Sequence, residues 1–377
     1  MKIAIISPWA ISYNAVGGTE RFVQDLAETF TQLGNQVDVY MLSGKSHNRN
    51  DVSYINIDLF DTHKIVDEFI LQEKCGDFDK DESFYNIAKL LESKINLEKY
   101  DLIYFNSQLF LTAYQNKKRI FTIHTNPFEY KLAFGDDAYL KMVEIMKTQS
   151  SNPLTTFVAP SKYYANIYQE LTGTQIVSIP HGIDISRLES IKTKSDLLKF
   201  YNLGDENIIR ILLPSRVEPI QKQPMVFIEA LGNISKDLRK NVQVICTGLD
   251  TQYEKYSSSI REYCEENEID IVFIRFDSMA DAYGIADIIA LPSRSESFGY
   301  SALESLSLGI PTIMNNLPTF REIAQGYDGN CYIFHNNNEL EKIINNLLKN
   351  IPNKYIPGKS WQDRYSLIKF GEKYLNI

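Results

Sequence analysis

Apolar residues recur along this chain in two rhythms. Short continuous runs at 2–7, 36–42, 101–106, 119–123 and 157–159 read as buried strands. Between the first two, Phe22, Val23, Leu26, Phe30 and Leu33 repeat at helical spacing, and Gly34 stands just past their end. Strand, glycine-bearing loop, helix, strand is the opening of a doubly wound sheet. A further helix is predicted after Pro160-Ser161, to about Leu171. The charged stretch from Asp184 to Asp205 interrupts the pattern. Strands then resume at 210–214, 242–247, 270–273 and 285–291, with a short one at 331–334 and a helix over 339–348. Pro352, Pro357 and Gly358 mark a crossover, and Trp361 opens a last helix carrying Tyr365, Ile368, Phe370 and Tyr374. Residues 43–99 are less regular and predict little.

Length sets the number of cores. A chain of 377 residues exceeds what one core supports, so two α/β domains are expected. The boundaries read as 1–181 and 182–360, with 361–377 returning to the first domain. The net charge of −9 argues against a nucleic-acid partner and against broad attraction to anionic lipid, though a local patch could still provide that. Cys75, Cys246, Cys264 and Cys331 are widely spaced and form no metal-ligand pattern, which fits a reducing compartment. Met1 leads straight into the first strand without space for a signal peptide, and no apolar run reaches 18 residues. The expected localisation is cytoplasmic, with a peripheral place at the inner face of the membrane left open.

Candidate chemistry concentrates in residues 292–311, PSRSESFGYSALESLSLGIP. Ser295 or Ser297 could cap a helix starting near Phe298, with Ala302, Leu303 and Leu306 on its inward face and Gly309 with Pro311 ending it. A helix tip offers unpaired N–H groups and a positive dipole end, and Gly299 leaves the approach open to a phosphate. Glu296 precedes the tip. Glu304 lies about 7–8 Å beyond Gly299, similar to the span from a diphosphate to a ribose's hydroxyls. The same stretch also fits a buried strand–turn–helix with two solvated glutamates.

Glu296-x7-Glu304, in register with the flanking Pro-Ser and Gly-Ile-Pro, closely resembles the signature of family 4 glycosyltransferases. The resemblance implies a retaining, nucleotide-sugar-dependent enzyme of the GT-B fold, two Rossmann-like domains facing across a cleft. It covers both domains, with the specific motifs concentrated in 210–322. Phe298, Gly299 and Tyr300 at the helix tip join Glu296 and Glu304 in the implied donor site. Arg216 and Lys222 keep the family's six-residue spacing after a strand, while Ser215 and Gln223 replace its two glycines. Two cations there suit a leaving diphosphate, one as a fork and one as a mobile point charge; a surface pair without a ligand is the alternative. Gly17-Gly18-Thr19-Glu20 resembles the loop that faces the donor phosphate from the first domain, though a plain tight turn also fits. His124, at a strand's carboxyl end, stands where the family has a histidine bordering the reacting sugar, or is a structural histidine. Phe276 lies where related enzymes contact a pyrimidine. His181-Gly182-Ile183-Asp184 resembles the family's hinge, with His181 read as a polar turn residue without chemistry.

The implied reaction moves a hexosyl group from a UDP-sugar to an acceptor hydroxyl on a glycan, lipid-linked sugar, protein or small molecule. No metal or other cofactor is expected. Asp77, Asp79 and Asp81 form Asp-x-Asp patterns, but in an acidic run without a hydrophobic strand beside it. Two rivals remain: a GT-B-like sugar-nucleotide epimerase, and a non-catalytic subunit of a glycosyltransferase complex. The Gly17–Glu20 loop beside the glutamate pair favours transfer over epimerisation, and retention of the four charged positions argues against the subunit.

Overall fold

Two parallel sheets organise the chain, each the core of its own unit. A computed structural model of the protein describes residues 1–8, 17–57, 81–248 and 253–377. The Asp77 and Asp79 positions of the acidic pattern lie outside them, and Asp81 opens the helix Asp81–Lys94. One unit comprises Met1–Gly182 with Tyr365–Ile377, the other Ile183–Arg364.

Among the described residues the first unit contains strands β1 (Lys2–Ser7), β2 (Gln36–Met41), β3 (His47–Arg49), β4 (Val52–Asn56), β5 (Leu102–Phe105), β6 (Arg119–Thr122), β7 (Thr155–Ala159) and β8 (Val177–Ser178). Their order is β3-β4-β2-β1-β5-β6-β7-β8, parallel except for the β3–β4 hairpin. That hairpin falls in 43–99, a stretch without a strand signal in its residue pattern. Its strands are short, β3 entirely polar and β4 partly so, and hydrophobic periodicity does not mark them. Ile3, Ala4, Ile5 and Ile6 are fully buried, as are Phe22, Val23 and Leu26 on the helix Gly18–Gln32. A strand covered on both faces needs no polar alternation, which is why it reads as an unbroken apolar run.

The second unit contains β9 (Ile209–Arg216), β10 (Val242–Gly248), β11 (Asp270–Phe273), β12 (Ile288–Leu291), β13 (Thr312–Asn315) and β14 (Cys331–Phe334). They form an all-parallel sheet in the order β11-β10-β9-β12-β13-β14. Each sheet reverses direction once. The chain runs outward from β9 to β11 and returns to β12 on the other side of β9. In the first unit the equivalent reversal separates β1 from β5. Loops leaving the carboxyl ends of such strands diverge, and the crevice between them is where ligands bind in open α/β sheets.

Opposite those crevices, each sheet buries an arginine at the start of a strand. Arg119 donates to the carbonyls of Leu111 and Ala113, to Gln149 and to Thr155. Arg210 donates to Leu203, Asp205 and Ile208. Both guanidinium groups are occupied by structure.

The single last helix expected from Trp361 is two, Lys359–Arg364 and Leu367–Leu375. The Trp361 indole donates to the Ile323 carbonyl at 2.8 Å and Arg364 reaches that of Gln325, so the first of them belongs to the second unit. The chain returns to the first unit only at Tyr365. There Phe370 and Tyr374 pack on Phe22, and the Tyr374 hydroxyl bonds Thr122 at 3.0 Å. Gly182 permits this contact, because a Cβ there would lie 2.8 Å from the Leu367 Cα.

Candidate active site

In the second unit the crevice between β9 and β12 collects the charged candidates. β9 ends at Arg216, whose side chain is exposed. Across from it, Gly248 sits beside a β-bulge; a Cβ at Gly248 would stand 2.7 Å from the Arg216 Cα. The chain then turns around Glu218, which is only 4% exposed. Its carboxylate accepts N–H bonds from Ile220 at 2.9 Å, Gln221 at 2.5 Å and Lys222 at 2.7 Å. Those amides are therefore committed to an internal anion, and the Arg216 and Lys222 side chains are the cationic groups this loop still offers. Gln223 adopts a left-handed φ of 47°, a conformation glycine enters without steric cost. A non-glycine residue thus holds a strained left-handed backbone at the position where the family pattern has glycine.

The loop after β12 meets this turn directly. The Arg294 N–H donates to the Gln221 carbonyl at 2.7 Å. Lys222 Nζ donates to Glu296 Oε1 at 2.6 Å, and the Ser293 hydroxyl donates to the same oxygen at 2.8 Å. Both members of the ion pair keep 16% of their side-chain surface, so the pair is open to solvent. Asn315, at the end of β13, holds the Ser293 carbonyl at 3.0 Å. Three strand ends are thereby tied into one polar cluster.

The helix Tyr300–Ser307 starts two residues later than expected and is capped by neither serine. Its N-cap is Gly299, with φ 103°. A Cβ at Gly299 would lie 2.7 Å from the Phe320 ring, so the position excludes side chains by conformation and by packing. Phe298 is buried and meets the Tyr300 ring edge-on at 5.5 Å. Glu304, on the second turn, is 5% exposed rather than solvated, and its Oε2 accepts a short bond from the Tyr283 hydroxyl. Phe276 follows β11 and packs edge-on against Tyr201 at 4.7 Å. Tyr201 in turn donates to Asp281 at 2.9 Å and accepts the Asp277 N–H at 3.2 Å.

The first unit presents a different group. Gly17 and Gly18 are exposed at the start of the helix Gly18–Gln32, where the Gly17 N–H points to Glu20 Oε2 at 3.4 Å. His124 follows β6, and its Nε2 donates to Asn106 Oδ1 at 2.6 Å. Phe22 meets the His124 ring edge-on at 4.7 Å and lies 4.5 Å from the ring of His181. Burial pushes the His124 imidazole down to about 3. His181 is pushed well below its ordinary value by burial first and by His124 second. Both rings are neutral near pH 7. His181 is 2% exposed, so it is a core residue and not the polar turn residue expected. Sequence reasoning also missed Glu218, Tyr283, Ser293 and Asn106; Ser293 stands in the Pro-Ser of the signature stretch without a role assigned to it, and the other three belong to no recognisable motif.

Among the described residues, no group of three or more His, Cys, Asp or Glu is arranged as a metal site, and no helix is long and apolar enough to cross a membrane.

Comparison with known proteins assigns the frame. Residues 16–187 match the family Glycosyltransferase Family 4, and residues 199–357 match Glycosyl transferases group 1. A stretch of 96 residues is 38% identical to the O-antigen biosynthesis glycosyltransferase WclY of Escherichia coli, spanning 24% of this chain and 26% of that protein. The chain thus matches about a quarter of that relative's length. The fold is similar throughout to sucrose-phosphate synthase from Thermosynechococcus elongatus, with TM-score 0.78, 16% identity, and coverage of 100% of this chain and 97% of that one. Anabaena HepE, solved in complex with UDP and glucose, matches with TM-score 0.71 and 16% identity over 100% of this chain and 98% of its own. The chain belongs to the family 4 glycosyltransferases, built on the GT-B fold.

Proposed function

We propose that the protein transfers a hexosyl group from a UDP-sugar to an acceptor hydroxyl, with retention at the anomeric carbon. The observation that carries this reading is the meeting of Lys222 and Glu296 at 2.6 Å beside the start of the helix Tyr300–Ser307. In this pairing each neutralises the other. When a donor enters, Lys222 exchanges Glu296 for a phosphate oxygen, and Glu296 turns to the hydroxyls of the transferred sugar. Arg216 supplies a second cation, and fixed positive groups stabilise charge on the departing diphosphate without a metal. Glu304 receives the ribose hydroxyls, Phe276 walls the base, and Phe298, Gly299 and Tyr300 shape the phosphate end. For Gly17 and Gly18 we assign contact with the donor. His124 acts as a neutral hydrogen-bonding group toward the sugar, since its depressed pKa gives it no proton to deliver near pH 7.

The UDP bound by HepE supports the nucleotide. The O-antigen enzyme supports a surface-glycan acceptor; for the place of work we propose the cytoplasm or the inner face of the membrane. Incubation with a panel of UDP-sugars, following free UDP, tests the reading. Release of UDP with or without acceptor is expected. Interconversion of the sugars would make the protein an epimerase, and inert binding would make it a subunit.

A further inference from the structure

We infer that Tyr283 is a positioning residue for the donor's ribose, acting through Glu304. This inference depends on the assignment of Glu304 to the ribose hydroxyls. Tyr283 lies on the helix Met279–Ile285, is 1% exposed, and donates its phenol proton to Glu304 Oε2. With Oε2 held, rotation of the carboxylate about its last bond is restrained, so the direction of Oε1 is biased before a ligand arrives. A pair of vicinal hydroxyls is recognised by angle as much as by charge, and fixing the acceptor in advance removes an ordering cost from binding.

The helix that carries the phenol is itself immobilised. Ala280, Asp281, Ala282, Tyr283 and Ile285 are all buried. Asp281 is bonded by Ser190 at 2.7 Å, Tyr201 at 2.9 Å and Lys192 at 3.2 Å. These three residues come from the segment that opens the second unit, so its first turns serve as the foundation for a residue about ninety positions later. A phenylalanine would fill the same volume, so the hydroxyl is there for its bond and not for packing.

The test is a comparison of ligands in two proteins, read by titration calorimetry. Wild type should bind UDP about ten-fold or more tightly than 3′-deoxy-UDP, as expected for a charge-assisted hydrogen bond. In Tyr283→Phe, UDP affinity should fall and the preference should shrink to about two-fold, because a loosened carboxylate gains less from the hydroxyl. A purely structural role would weaken both ligands equally and leave the preference intact, which overturns the inference. In a Glu304→Gln background, Tyr283→Phe should change UDP affinity by no more than about two-fold; a full additive loss there also overturns it. If wild type itself does not prefer UDP, the ribose assignment of Glu304 fails and the role of Tyr283 fails with it.

Discussion

The two sheets reverse direction in the same way, yet their crevices hold opposite kinds of chemistry. Beside β9 and β12 stand ions open to solvent: Arg216, and the Lys222–Glu296 pair with 16% of each side chain exposed. Beside β1 and β5 stand an uncharged histidine and an amide, His124 and Asn106, enclosed by Phe22 and a second neutral histidine. Topology supplies a crevice in each case, and the residues decide its use.

Removing the mobile charges should have the largest effect. In Arg216→Ala, Lys222→Ala, kcat/KM for the donor is expected to fall about a thousand-fold, since each charge-assisted contact contributes roughly 1.5–3 kcal/mol. UDP titration of the folded double variant checks it. Unchanged affinity would remove both residues from the site.

The neutral crevice should answer to pH instead. A histidine held below its unfolded pKa takes up a proton only on unfolding, so its contribution is steady above about pH 6.5 and declines as pH falls toward the folded value. With two such histidines, roughly 2–4 kcal/mol of stability should be lost between pH 7 and pH 5. Denaturant melts across that range measure it, and His124→Gln should flatten the slope. A slope unaffected by that substitution would mean that His124 is not held neutral.

Glu296→Gln sharpens the contrast further. Turnover at saturating donor should drop by about ten- to a hundred-fold, while UDP affinity stays level or rises a few-fold, because Lys222 loses its competing partner. Weaker UDP binding would instead place Glu296 on the diphosphate and reverse the donor along the helix. The smallest effect is expected from EDTA, which should leave the rate unchanged. A strict need for Mn²⁺ or Mg²⁺ would bring Asp77, Asp79 and Asp81 back into consideration.

Much of this architecture is legible in the chain. Continuous apolar runs mark buried parallel strands because such strands have no solvent face, and the stretch from Pro292 to Pro311 carries a motif that spacing and residue type define together. What the sequence hid were couplings between distant positions. Nothing near Lys222 indicates that Glu218 would consume the loop's amides, nor does anything near Glu304 point to Tyr283. The serines before the helix looked like caps, but Phe320, some twenty positions on, crowds a left-handed glycine into that role. His181 read as a turn residue because burial by Phe22 and Phe370 is a tertiary fact.

The late return of the chain at Tyr365 has a consequence for biosynthesis. During translation the whole of the second unit leaves the ribosome before the segment that closes the first. Until then Phe22 lacks Phe370 and Tyr374, and the surface around Thr29 that receives Gly371 stays uncovered. The part made first is therefore the part completed last, and a nascent chain would carry an open apolar seam through most of its synthesis.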